Sequence, residues 1–270
     1  MEKFDSKKHI KLINDLPFSY VSLPLYLDFC AYTFKRNGED LIVTQDPSYL
    51  HDFPSLFLPK NKDNWAMASM SMITEEEVKK IKKEDIEIAN QNPTETEYYY
   101  KTSGFLDPKS KMKNRVNQFN KSYDYNILNN YSKTKLTEFY NLWEGQKERS
   151  SDLFEKESTE FFFFCLENLE KYDIKQIYVE IDGKLAGFAW GVGHSDHNWA
   201  GLHLKANYDY KGLSRFLHHE RAKLFSDRDL FSLGTGCHDP GLIQFKKELG
   251  PVLEKQYYYV FTRDKNNHHA

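Results

Sequence analysis

The chain has 270 residues, 40% of them hydrophobic, and a formal net charge of −3. That apolar fraction is enough to build cores and excludes a disordered chain. The missing positive excess gives no bulk signal for a dedicated nucleic-acid binder, and the length suits two domains better than one. Phe and Tyr are numerous, 20 and 18, and read as core fillers rather than as platforms for stacked bases.

In chain order, residues 18–36 read as a helix with an early proline, 39–46 as a strand, and 56–64 as a turn-rich exit. Residues 74–92 read as a charged helix, with Thr74 as N-cap ahead of Glu75, Glu76 and Glu77. Pro93, Gly104 and Pro108 punctuate the next stretch. Residues 97–101 (EYYYK) form a strand, and a basic helix runs from about Pro108 to Asn120. Between Lys101 and Ser150 basic residues outnumber acidic ones about two to one, which a solvated face also produces. A boundary near residue 121 divides the chain into 1–120 and 121–270.

The second part is more strongly patterned. Helices are expected at 132–149 and 158–173, the latter capped by Ser158 or Thr159. Residues 175–207 form three antiparallel strands. Asp182-Gly183 makes the first tight turn, because glycine accepts positive φ. A helix at 213–225, a strand at 229–236, a helix at 240–249 and a strand at 256–263 complete the order. Antiparallel strands followed by a crossover helix into a neighbouring strand imply an α+β layer with helices on both faces. This is the element order of the acyl-CoA N-acetyltransferase (GNAT) superfold.

Three cysteines at wide spacing, Cys30, Cys165 and Cys237, give no disulfide framework and point to a reducing compartment. Residues 1–12 lack the apolar run of a signal peptide. The longest apolar run, Phe161 to Leu166, is far short of the roughly 20 residues that span a bilayer. A soluble, cytoplasmic protein is expected, one that meets any lipid substrate from the membrane surface.

The chemistry concentrates in residues 233–251, LGTGCHDPGLIQFKKELGP. The stretch lacks the Gly-Lys-Ser/Thr ending of a P-loop and the Gly-x-Gly-x-x-Gly pattern. Cys237 and His238 are adjacent and have no partners at metal-ligand spacing, so no metal is expected. The stretch reads as a strand splaying into a pocket, followed by a helix presenting Lys246. That ammonium can stabilise charge developing on a carbonyl under attack, or it can be an ordinary surface lysine. Asp239, with Pro240 behind it, can be the helix N-cap or a proton acceptor. His203 shares a strand face with Lys205 and can be a general base or a polar core residue. His218 and His219 are expected at the surface. Lys111, Lys113 and Arg115 can form one basic face toward tRNA or lipid phosphates, or a solvated helix face.

Residues 111–119 (KMKNRVNQF), 200–224 (AGLHLKANYDYKGLSRFLHHERAKL) and 239–251 resemble the DUF2156 family, which shares a domain with the C-terminal part of phosphatidylglycerol lysyltransferase. The matching positions are Asn117 and Phe119; Lys205, Ala206, Asn207 and Gly212; and Gly241, Leu242, Lys246 and Pro251. Residues 245–250 (FKKELG) also look like a helix of the Fem peptidyltransferases. The likeness spans roughly residues 97–262. It implies two tandem GNAT-like domains, the first degenerate, and acyl or aminoacyl transfer without a tightly bound cofactor. In that reading Lys246, Asp239 and His203 act on the reacting groups. Lys205, Asn207, Gly212, Lys111, Lys113 and Arg115 hold the donor, an aminoacyl-tRNA or an acyl-CoA. The coenzyme A loop of the superfold carries several glycines. Here YDYKGLS carries only Gly212, which weakens the cradle for a pyrophosphate and favours an aminoacyl-tRNA donor.

Overall fold

The computed structural model describes residues 1–44, 53–84, 86–146 and 152–264, and the chain divides into two compact units. Unit 1 is Met1–Glu97 with Glu254–Ala270, and unit 2 is Tyr98–Leu253. The expected boundary at 120/121 therefore falls inside unit 2, and the last strand returns to unit 1.

Unit 1 contains β1 (Glu2–Lys3), α1 (Ile10–Asn14), α2 (Pro24–Cys30), β2 (Ala31–Arg36), β3 (Glu39–Thr44), β4 (Phe53–Ser55), β5 (Ala68–Thr74), α3 (Glu75–Lys82) and most of β6 (Ile86–Lys101). Two expected helices are shorter than the sequence suggested. Pro24 opens α2 at its first turn, and the helix stops at Cys30. From Ala31 the chain pairs antiparallel with β3 through the turn Asn37-Gly38, both residues at positive φ. α3 has Thr74 as its N-cap, as expected, in a capping box that Glu77 completes, but it ends at Lys82, and Ile86 starts a long strand. β5 carries β4 parallel on one side and the last strand of the chain, β12 (Leu253–Asp264), antiparallel on the other.

Unit 2 continues with α4 (Ser103–Leu106), α5 (Ser110–Ser122), β7 (Asn126–Leu128), α6 (Lys133–Gly145), α7 (Asp152–Glu167), β8 (Lys175–Ile181), β9 (Lys184–Gly193), β10 (Asn198–Ala206), α8 (Leu213–Lys223), β11 (Leu230–Thr235) and α9 (Pro240–Glu248). Its strands lie in the order β11-β10-β9-β8-β7. All neighbours are antiparallel except β10 and β11, which run parallel because α8 carries the chain back between them. Asp182 and Gly183 turn β8 into β9 at positive φ, as expected. Ser158 and Thr159 lie inside α7, not at its cap.

Helices cover both faces of this sheet. Val116 and Phe119 of α5 and Leu213, Phe216 and Leu217 of α8 pack with Ile177, Val179 and Ala189 on one face. On the other, Phe162 of α7 stacks on Tyr140 of α6 at 3.9 Å and on Trp190 of β9 at 5.3 Å. Aromatic pairs of this kind each contribute about 0.5–1.5 kcal/mol beyond the area they bury, so the many Phe and Tyr residues act as core. Among the described residues no helix is long and apolar enough to cross a membrane.

Candidate functional site

The parallel pairing of β10 with β11 covers only Asn198↔Leu230, Trp199↔Phe231 and Ala200↔Ser232. Beyond Ala200 the register of β10 against β9 also shifts, between Gly201 and Leu204. A bulge bends a strand and strengthens its twist, so β10 leaves β11 and a gap opens between their C-terminal ends. A cavity of about 650 Å³ lies there, walled by β10, β11, α5, α8 and α9. It is the splayed pocket expected from residues 233–251.

Lys246 lies in the cavity wall and is 6% exposed. Its Nζ donates to the Leu233 carbonyl at 2.6 Å and to that of Thr235, at the end of β11. Its own carbonyl accepts from the Tyr100 hydroxyl at 3.0 Å. These bonds to both ends of the residue position the ammonium, and the side chain is not an ordinary surface lysine.

Arg221 of α8 reaches the same gap. It is 1% exposed and donates from Nη1 to the Trp190 carbonyl at 3.0 Å. A Cβ on Gly201 would stand 2.6 Å from Arg221 Nη2 and 2.6 Å from Leu233 Cδ2, so only glycine leaves room for the guanidinium. Nη2 bonds His218 Nδ1 at 3.0 Å, which makes that nitrogen the acceptor and puts the imidazole proton on Nε2. Burial, then the charges of Arg221, Arg215 and Lys246, hold His218 neutral, with a pKa well below its ordinary value. His218 is buried and His219 bonds the Phe105 carbonyl through Nδ1 at 2.6 Å, so neither is the surface residue expected. Arg215, His218 and Arg221 recur every third residue and share one face of α8.

At the α5 end of the cavity stand Lys111, Arg115, Lys211 and Arg215. Glu248, the one carboxylate in the lining among the described residues, accepts from Lys111 at 2.8 Å, Arg215 at 3.2 Å and Gln244 at 3.3 Å. Its bonds to Lys111 and Gln244 hold its pKa below the ordinary carboxylate range. The Arg215 guanidinium lies over Phe245, 4.0 Å from the ring centroid. With Lys205, Arg221 and Lys246 on the strand side, seven cationic side chains line the cavity against one acid among the described residues.

His203 and Lys205 also line it. Lys205 Nζ stands 3.8 Å from the centre of the Trp143 ring, a cation–π contact that α6 provides. Burial, then the Lys205 charge, pushes the His203 pKa well below its usual value, against a hydrogen bond to the Phe161 backbone that raises it. Nε2 of His203 is buried and has no hydrogen-bond partner. Asn207 and Gly212 close the loop that follows β10. Asn207 accepts the Asp209 amide through Oδ1 at 2.9 Å, a local turn bond. Gly212 has φ +91°, and a Cβ there would approach the Arg115 carbonyl to 2.5 Å, so its glycine seats α5 on the start of α8.

Two expected residues do not join the cavity. Asp239 is the N-cap of α9, its Oδ1 accepting from Gly241 at 2.7 Å and Leu242 at 3.1 Å, and it stands outside the lining. Lys113 is exposed on α5, also outside. Among the described residues no three His, Cys, Asp or Glu side chains converge as a metal site would require. Sequence reasoning missed Trp143, Lys211, Arg215, His218, Arg221 and Glu248. The three-residue spacing on α8 was the signal available for half of them.

No protein-family model matches the chain, and no curated protein does. Solved structures do. The DUF2156 C-terminal domain of a protein described as a lysylphosphatidylglycerol synthetase, from Agrobacterium fabrum, is 12% identical with a TM-score of 0.61, over 94% of this chain and 92% of that one. L-PGS from Bacillus licheniformis is 12% identical with a TM-score of 0.61, over 98% and 93%. FemX is 9% identical with a TM-score of 0.63, over 97% of both chains. What the chain has in common with these proteins is a GNAT-like, mixed α+β fold.

Proposed function

We propose that the chain is an acyl or aminoacyl transferase whose reaction takes place in the cationic cavity of unit 2. The observation carrying this reading is the Lys246 ammonium, buried in the wall of a gap between two splayed strands and surrounded by six other cations. Cations in a shielded cavity attract an anionic donor and stabilise an oxyanion. The donor we favour is an aminoacyl-tRNA, its terminal phosphates meeting Lys111, Arg115, Lys211 and Arg215. Such a donor sets the reaction in the cytoplasm. Unit 1 is then the degenerate member of a tandem pair.

In the reaction, an amine or hydroxyl of a lipid or small-molecule acceptor attacks the ester carbonyl. A new amide or ester bond forms, the bond to the ribose oxygen breaks, and the acceptor's proton passes to that departing oxygen. Lys246 faces the developing oxyanion. His203, held neutral by burial, accepts a hydrogen bond from the nucleophile and orients it, because its low pKa disfavours holding the proton. Asp239, committed to the α9 cap, is a positioning residue for the helix that carries Lys246.

Fluorescence anisotropy with a labelled RNA microhelix ending in a non-hydrolysable 3′-aminoacylamino-3′-deoxyadenosine tests the donor, with coenzyme A and acetyl-CoA as competitors. Binding of the charged microhelix, weakened by salt and by K246A, supports the reading. Binding of coenzyme A alone moves it to acyl-CoA transfer. Binding of neither, with unchanged cellular function in K246A, leaves a non-catalytic binding module.

A further inference from the structure

The charges in the cavity bear on what is transferred as well as on the donor's phosphates. A transferred group with a positive side chain needs a carboxylate or an open aromatic face to receive it. Among the described residues the lining has one carboxylate, Glu248, and it already binds Lys111 and Arg215 of this chain. Two aromatic faces of the lining are taken as well. Lys205 stands over Trp143 at 3.8 Å, and Arg215 over Phe245 at 4.0 Å. These three cation-binding features hold the protein's own cations, and the other two aromatic side chains of the described lining, Tyr208 and Tyr210, stand on the loop after β10. The strand side of the gap, where the reacting carbonyl meets Lys246, adds Lys205 and Arg221. A further cation introduced there meets like charge in a partly desolvated space, where repulsion is stronger than in water.

We propose that the cavity discriminates by the side-chain charge of the transferred group: it accepts an uncharged or acidic side chain and rejects a cationic one such as that of lysyl, the α-ammonium being common to every aminoacyl group and cancelling in the comparison. This rests on the transfer reading above and narrows its substrate class. The discriminating element is Lys205, fixed by Trp143 beside His203, with Arg221 and Lys246 in the same lining.

The test is a binding series on both donor scaffolds. Microhelices carrying alanyl, glutamyl or lysyl 3′-amides are compared, together with acetyl-, succinyl- and β-alanyl-CoA. On whichever scaffold binds, the cationic member is expected to bind at least about tenfold more weakly than the neutral one, and the acidic member at least as well as the neutral one. Lys205→Gln and added salt should each narrow that gap, because screening and charge removal act on the same repulsion. A lysyl or β-alanyl member that binds as tightly as its neutral counterpart overturns the inference and leaves the transfer reading standing. A gap indifferent to both Lys205→Gln and salt is steric, and overturns it too. Failure of both scaffolds to bind removes the transfer reading and this inference with it.

Discussion

Replacing Lys246 with Met separates its two roles. The side chains are similar in length, so the change removes charge and hydrogen bonding more than volume. Two part-buried carbonyls, of Leu233 and Thr235, lose their donor. An unsatisfied buried acceptor costs about 1–3 kcal/mol, and relief from burying an ammonium returns part of that. The net destabilisation of unit 2 should be about 2–4 kcal/mol. At roughly 2–4 °C per kcal/mol for a domain of this size, Tm should fall by about 4–16 °C in calorimetry. Tyr100→Phe is the control. It removes a bond to the Lys246 carbonyl, at 3.0 Å, and leaves the cavity charge intact. It should lower stability by about 1 kcal/mol and leave microhelix affinity unchanged at temperatures where both variants are folded, while K246M weakens that affinity. Equal Tm for K246M and wild type, or equal loss of affinity in K246M and Y100F, would show that the ammonium lacks the corresponding role.

Three other perturbations have defined outcomes. His203 and His218 are buried neutral, so below pH 6.5 the unfolded chain takes up protons that the folded chain refuses. Stability is therefore full above that pH and falls as the pH drops, by about 1.4 kcal/mol per pH unit for each histidine, and denaturant midpoints of wild type and H218Q between pH 7.5 and 5.5 check the slope. Gly212→Ala places a Cβ against the Arg115 carbonyl at positive φ, and it should destabilise unit 2 by more than about 1 kcal/mol, with faster amide exchange in α5. Asp239→Ala should cost about 1 kcal/mol through its lost cap. It should leave any transfer measurable over pH 6–8 with an unchanged pH profile, and a shifted profile would restore Asp239 as a proton acceptor.

Much of unit 2 is legible in the sequence because its signals are local. Asp182-Gly183 fixes one turn, Asp239-Pro240 starts α9, and alternation places His203 and Lys205 on one face of β10. The order of strands and helices implies the layers. The failures in unit 1 are also physical. Apolar and aromatic residues suit either helix or strand over short runs, so the α2–β2 stretch reads as one helix, although Asn37-Gly38 offers a hairpin signal. The charged run after Thr74 reads as helix through Asn92, although alternating Ile86 and Ile88 begin a strand. In the site, single residues with a family likeness stand out in the sequence, whereas Arg215, His218 and Arg221 do not. Their role depends on which face of α8 meets the gap between β10 and β11, and tertiary packing decides that.

The most direct test of the account is a crystal structure with a microhelix-end analogue, 3′-alanylamino-3′-deoxyadenosine. The account predicts ligand in the unit 2 cavity, its carbonyl oxygen within hydrogen-bond reach of Lys246 Nζ and its alanyl group beside Lys205 and His203. Ligand bound at another surface, with Lys246 still turned only to Leu233 and Thr235, would contradict it.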